Sequence, residues 1–215
     1  MSARIVVVAG TGTEVGKTWV TAELIRMLSR RGKPCSARKP VQSFAPDGAP
    51  TDAEVLASAS GEDPLLVTPH ERWYELPMAP PMAAEALGRA PIALRDLVSE
   101  MKLPDVGIAL VEGVGGPRSP LADDGGTIEL AEALDADAVV LVARPGLGTI
   151  SDVLLAAAAF RRAPYVFLNR FDPLDDLHRR NRRWLEGIEG LDVSVKIPEL
   201  LDKLEKTVLS SLEVR

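Results

Sequence analysis

Lys17 and Thr18 end a loop, Gly10-Thr-Gly-Thr-Glu-Val-Gly-Lys-Thr18, whose residue types can hold a chain of phosphates. A lysine ammonium places charge between phosphates, and the next hydroxyl can bind Mg²⁺. The glycine-rich turn lets backbone N–H groups converge on one anion at the positive end of a following helix. The spacing departs from the common G-x-x-x-x-G-K-[ST] form, because position 11 is Thr11 and five residues separate Gly10 from Gly16. Two acids could add to this chemistry. Glu112 closes the apolar run 106–112 ahead of Gly113-Val-Gly-Gly116, a place suited to holding a metal directly or through water. The alternative there is a solvated charge at a strand end. Asp52, in Thr51-Asp52-Ala53-Glu54, reads first as an acid that complements or caps a helix N-terminus.

These groups need elements to carry them. The β-branched run Ile5 to Ala9 reads as a buried strand leading into the loop, and residues 17–31 carry helical spacing that ends at Arg30-Arg31-Gly32. A short strand is expected to leave through Arg38-Lys39-Pro40-Val41-Gln42-Ser43, with a helix opening at Thr51. Residues 64–81 read as irregular, and helices are expected over 80–87 and 92–101. Further strands are expected over 106–112, 138–143, 165–169 and 193–197. Helices follow at 127–134, 150–161, 175–185 and 200–212. Alternation of this kind implies an α/β fold: one doubly wound, mostly parallel sheet flanked by helices, in a single domain over 1–215.

Composition narrows the function. With 46% hydrophobic residues, a net charge of −6 and a pI near 5.1, no basic stripe invites nucleic acid. The run Arg179 to Arg183 reads as the solvated face of a helix. No apolar run reaches the roughly 18 residues of a membrane span, and the first strand begins too early for a signal peptide. The lone Cys35 cannot form an internal disulfide and reads as a small buried hydrophobe, so a cytoplasmic location is expected.

The loop resembles the longer GT(D/G)TxVGKT loop of the dethiobiotin synthetases. The likeness continues through Lys39-Pro-Val-Gln-Ser43, Thr51-Asp52, Pro80-Pro-Met-Ala-Ala84, Glu112-Gly-Val-Gly-Gly116, Gly146-Leu-Gly-Thr-Ile150, Asn169 and Ile197-Pro198. The resemblance implies ATP-driven closure of a urea ring from 7,8-diaminononanoate and CO₂ or bicarbonate, through a carbamate and a mixed anhydride. It implies that Lys17 bridges phosphates and carbamate and that Lys39 neutralises the carbamate or the transferring phosphoryl. Thr13 and Ser43 would bond their oxygens. Gly12 belongs to the same loop, and the N–H groups of Glu14, Val15, Gly16, Lys17 and Thr18 would cradle the β-phosphate. Thr18, Asp52 and Glu112 would hold Mg²⁺, and Asn169 would read the base. It also implies a homodimer. Taken alone, Lys39 could be a surface lysine, Ser43 a loop serine and Asn169 a turn residue at a strand end.

Departures fall on substrate recognition. Gly12 stands where many members carry Asp. Gly148-Thr-Ile-Ser-Asp152 replaces a Gly-Thr-Ile-Asn-His stretch, so that Asp152 would repel a carboxylate tail it faced; Asn181 or a neighbouring arginine is expected to take that tail. Two other readings compete: an amidoligase on another acid, and an ATPase switch of the ParA/MinD type. The second would favour a lysine at position 12 and a basic amphipathic C-terminal helix. Position 12 is Gly12, and the last helix carries mixed charges.

Overall fold

The computed structural model describes residues 3–209. In chain order its elements are β1 (Arg4–Gly10), α1 (Lys17–Arg30), β2 (Cys35–Arg38), β3 (Gln42–Ser43), α2 (Asp52–Ser60), α3 (Pro64–Val67), β4 (Trp73–Tyr74), α4 (Pro80–Ala86) and α5 (Leu94–Glu100). They continue with β5 (Ile108–Glu112), α6 (Thr127–Ala133), β6 (Ala138–Ala143), α7 (Thr149–Ala157), β7 (Tyr165–Leu168), α8 (Asp176–Gly187), β8 (Val193–Ser194) and α9 (Ile197–Leu204).

Six strands form one sheet in the order β2-β5-β1-β6-β7-β8, and every pairing is parallel. Strands buried on both sides read as unbroken apolar runs, which is why β1, β5 and β6 stood out in the sequence. Alternate residues divide between two cores. Val6, Val8, Leu110, Val140 and Val142 pack with α1, α2 and α9, and Val7, Ala9, Val111, Val139 and Leu141 pack with the helices of the opposite face. The period of two therefore turns Glu112 toward α1.

Several expected boundaries move. The run 38–43 is broken at Lys39-Pro40, because a proline cannot donate to a ladder. β2 stays in the main sheet, whereas β3 pairs with β4 in a separate two-stranded sheet. The stretch expected to be irregular, 64–81, holds α3, a 3₁₀ turn at His70–Arg72 and β4. The expected strand 193–197 stops at Ser194, and Ile197 opens α9 with Pro198 in its first turn, where a missing N–H costs nothing. After α9 the chain continues as a π turn, Glu205–Leu209; the rest of the expected helix 200–212 lies outside the described residues. Cys35 is half-buried rather than buried.

Candidate functional site

The loop connects the C-terminal end of central β1 to α1, at the edge where the parallel sheet opens. Gly16 is the N-cap of α1 with φ of 97°. Only glycine is at ease there, and a Cβ would also fall 2.1 Å from the Asn169 side-chain nitrogen. That nitrogen donates to the Val15 carbonyl at 2.9 Å, and Asn169 Oδ1 accepts from Arg170 N at 2.9 Å. Asn169 thus clamps the phosphate loop from the end of β7, buried to 4% exposure. On the other flank, Arg144 Nη2 donates to the Glu14 carbonyl at 2.9 Å.

Lys17 Nζ donates to the carbonyls of Gly12 at 3.1 Å and Gly115 at 3.0 Å, joining the loop to the glycine turn after β5. Burial pushes its pKa below the ordinary lysine value. Lys39 pushes the same way, while Glu112 and Asp52 act against them.

Strand register brings Lys39 and Glu112 together. Arg38 of β2 pairs with Val111 of β5, so the next residue on each strand is a neighbour of the other. Lys39 Nζ lies 2.7 Å from Glu112 Oε1 and 2.8 Å from Asp52 Oδ2. The Lys39 backbone is fixed on both sides, its N–H donating to the Val67 carbonyl and its carbonyl accepting from Thr68 Oγ1. Burial alone would lower the Lys39 pKa, but Glu112 and Asp52 together outweigh it and hold it above the ordinary value. Burial works to raise Asp52; Lys39, with help from Thr18 and Lys17, holds it below the usual carboxylate range.

Thr18 Oγ1 sits 2.8 Å from Asp52 Oδ1 and 2.9 Å from Glu112 Oε1, one hydroxyl proton between two carboxylates. Thr21, one helical turn on, reaches Glu112 Oε2 at 3.1 Å and the Lys17 carbonyl at 2.9 Å. Glu112 is fully buried, so its charge is held by these partners and not by water. Gly113 keeps the next turn close to α6: a Cβ there would sit 2.3 Å from Thr127 Oγ1.

The structure therefore brings Lys17, Thr18, Lys39, Asp52 and Glu112 into one cluster. Asp52 is the first residue of α2, as its helix-start reading expects, and it is also a partner of Lys39 and Thr18. Thr13 and Glu14 are exposed on the loop, and Glu14 adopts a φ of 57°. No atom lies within 4 Å of a Cβ built on Gly12, so this position has room for a side chain. Ser43 is engaged elsewhere, donating to the Met78 carbonyl. Asn181 is buried, and its side-chain nitrogen donates to the carbonyls of Pro145 and Gly146 at 2.9 and 3.0 Å, holding the loop before α7. Asp152 is exposed in the first turn of α7. Thr21 escaped the sequence reading, although its place three residues after Thr18 on a helix was a usable signal.

Comparison with known proteins agrees with this geometry. A family model described as an AAA domain matches residues 4–203. The chain is 43% identical over 163 residues to the ATP-dependent dethiobiotin synthetase BioD of Caulobacter sp. (strain K31), covering 73% of this chain and 70% of that protein. It is 36% identical over 212 residues to the protein of the same name from Haloferax mediterranei, covering 96% and 89%. Among solved structures it superimposes on the signal recognition particle receptor FtsY from Elizabethkingia anophelis with a TM-score of 0.50 at 13% identity, covering 94% of this chain and 65% of that one. A DUF1611 family protein from Anabaena variabilis gives 0.52 at 18% identity, covering 98% and 58%. These structural likenesses concern the fold, a parallel sheet flanked by helices. The curated relatives go further: with its phosphate loop, two buried lysines and the acids Asp52 and Glu112, the chain belongs to the ATP-dependent dethiobiotin synthetase family.

Proposed function

We propose that this site, on a single P-loop domain, closes the urea ring of dethiobiotin from 7,8-diaminononanoate, CO₂ and ATP. One amine of the diamine and CO₂ give a carbamate, whose oxygen attacks the γ-phosphorus and displaces ADP. The second amine then attacks the carbon of the mixed anhydride, phosphate leaves, and the ring closes. The observation that carries this reading is the pair of buried lysines, Lys17 and Lys39, beside one phosphate loop. A carbamate, a triphosphate and a substrate carboxylate repel one another, and two fixed cations offset that repulsion in a place with little water.

In this assignment Lys17 spans phosphates and carbamate, and Lys39 turns from its carboxylates toward the transferring phosphoryl. The loop N–H groups from Glu14 to Thr18 receive the β-phosphate. Thr13 and Ser43 supply hydroxyls, Ser43 by leaving Met78. Asn169 keeps one amide hydrogen beyond its bond to Val15 for a base edge.

The chemistry of the donors fits Mg²⁺: Thr18, Asp52 and Glu112 are hard oxygen ligands, with the Thr18 hydroxyl within 2.9 Å of both carboxylates. Among the described residues no group of three or more His, Cys, Asp or Glu could hold a metal, so nucleotide oxygens and water would complete the shell. Bound there, the ion would neutralise charge on the phosphates.

A homodimer is supported by apolar side chains left open beside the loop before α7: Leu147 is 93% exposed and Leu155 is 73% exposed. Leu155→Asp is expected to shift the molecular mass in sedimentation equilibrium from dimer to monomer; an unchanged mass would remove this face from consideration. Among the described residues no helix is long and apolar enough to cross a membrane. Work on ATP and a free diamine suits a cytoplasmic enzyme.

The deciding experiment incubates the protein with Mg-ATP, bicarbonate and 7,8-diaminononanoate and follows products by mass spectrometry. The expected result is a species that has gained one carbonyl and lost two hydrogens, with ADP formed only when the diamine is present. ADP release without that species would retain the phosphate site and sink the substrate assignment.

A further inference from the structure

Asp52 projects from the first residue of α2, and its side chain is 46% exposed, so packing does not hold it. What fixes it is the placement of the helix end. The capping box of α2 is internal to the helix: Thr51 Oγ1 accepts from Glu54 N at 3.3 Å, and Glu54 Oε2 accepts from Thr51 N at 2.7 Å. Such a box shapes the first turn without tying it to the sheet. Core packing of Ala53, Leu56 and Ala57 holds the helix, and a polar tie at its first turn comes from Gln42, whose Oε1 accepts the Ala53 N–H at 3.0 Å. Gln42 is itself fixed by the β3–β4 pair, in register with Trp73, and is 1% exposed.

The other end of the Gln42 amide is unusual. Nε2 is buried and has no hydrogen-bond partner. A buried donor left unpaired costs stability, and methionine would fill the same length without that cost. Packing alone therefore does not call for glutamine here, whereas an acceptor facing Ala53 N does. We infer that Gln42 is a positioning residue for the metal-side acid: through Ala53 N it sets Asp52 against Thr18 and Lys39. The inference rests on the reading of Thr18, Asp52 and Glu112 as the Mg²⁺ side of the site. It gives the small second sheet a task, since β3 delivers both Ser43 and the residue that aligns α2.

The test measures binding of a fluorescent ADP analogue with Mg²⁺ and with EDTA, and takes the ratio of the two Kd values. Gln42→Met is expected to reduce the tightening by Mg²⁺ at least tenfold and to leave Kd in EDTA within twofold of the unmodified protein. Its Tm should change little, because the orphan Nε2 donor is gone while the Ala53 N–H loses its acceptor. Asp52→Asn should lose the Mg²⁺ effect as well. Gln42→Glu, which keeps an oxygen opposite Ala53 N–H, should retain the effect within threefold; this variant also decides the matter if Gln42→Met does not fold. Loss in Asp52→Asn with full retention in Gln42→Met would overturn the role of Gln42 and leave the metal reading standing, and so would loss in Gln42→Glu. Retention in both Asp52→Asn and Gln42→Met would overturn the metal reading together with the inference.

Discussion

Replacing Lys39 with methionine is expected to lower kcat on the order of a thousandfold, the scale of losing a preorganised charge at a developing anion. The same change should destabilise the protein without nucleotide. Lys39 Nζ is the cation within 2.7 Å of Glu112 Oε1, and Glu112 has no contact with water. Removing one partner of a buried pair leaves the other charge uncompensated, at a cost of roughly 3–5 kcal/mol. For a chain of this length that lowers Tm on the order of 10 °C. The pH dependence has a definite sign. The folded state raises the Lys39 pKa above its ordinary 10.5, so its stabilisation is fully present below pH 10.5 and fades as pH rises through the folded value. The gap in Tm between the two proteins should therefore hold across neutral pH and close only in strong alkali. Added Mg²⁺ should narrow it too, because the variant's two acids then gain a cation. Calorimetry at several pH values checks this, and a variant as stable as the parent would remove the pair from the account of folding.

Lys17→Met should give the opposite stability result with a similar loss of turnover. Lys17 touches carbonyls, Gly12 and Gly115, and its pKa is lowered chiefly by burial. The folded protein thus pays to keep that ammonium charged until an anion arrives. Methionine relieves this strain, so the nucleotide-free variant should melt at or above the temperature of the parent. On the proposed assignment of Lys17 to phosphates and carbamate, the variant should lose kcat about a thousandfold or more. ATP should raise its Tm far less than that of the parent. A variant that melts lower without nucleotide would show that the two carbonyl contacts matter more than burial. Taken together, the two results would separate a cation that stabilises the empty fold from one whose place is the ligand.

Legibility in the sequence followed the reach of each interaction. The β1–loop–α1 unit was readable because its signal is contiguous: an apolar run, glycines, Lys17-Thr18 and a helical period. Glu112 was readable as an acid ending a buried strand, and the resemblance grouped it with Thr18 and Asp52, but its ion pair with Lys39 was not readable. The contact with Lys39 depends on β2 pairing with β5, and β2 has only four residues to announce itself. Asp52 read by itself as an ordinary helix-start acid because it is one; its ion pair with Lys39 appears only when α2 is docked. The stretch 64–81 read as irregular because prolines masked a strand of two residues. Ile197 read as a strand end because the apolar positions before it alternate, until Pro198 is recognised as a first-turn proline. Gln42 carried no signal, for a glutamine in a short strand becomes informative only through Ala53.

β1 lies in the middle of the sheet, yet both of its neighbours come late in the chain: Arg4 pairs with Ile108, and Val6 with Ala138. During synthesis the ribosome therefore releases the phosphate loop early and its supporting ladder late. Until β5 and β6 have emerged, β1 is an apolar strand with two open edges, the kind of segment chaperones engage and aggregates recruit. The order of the strands thus makes nucleotide capture a late event in the life of each molecule, and gives the newborn chain its most exposed period before it can bind anything.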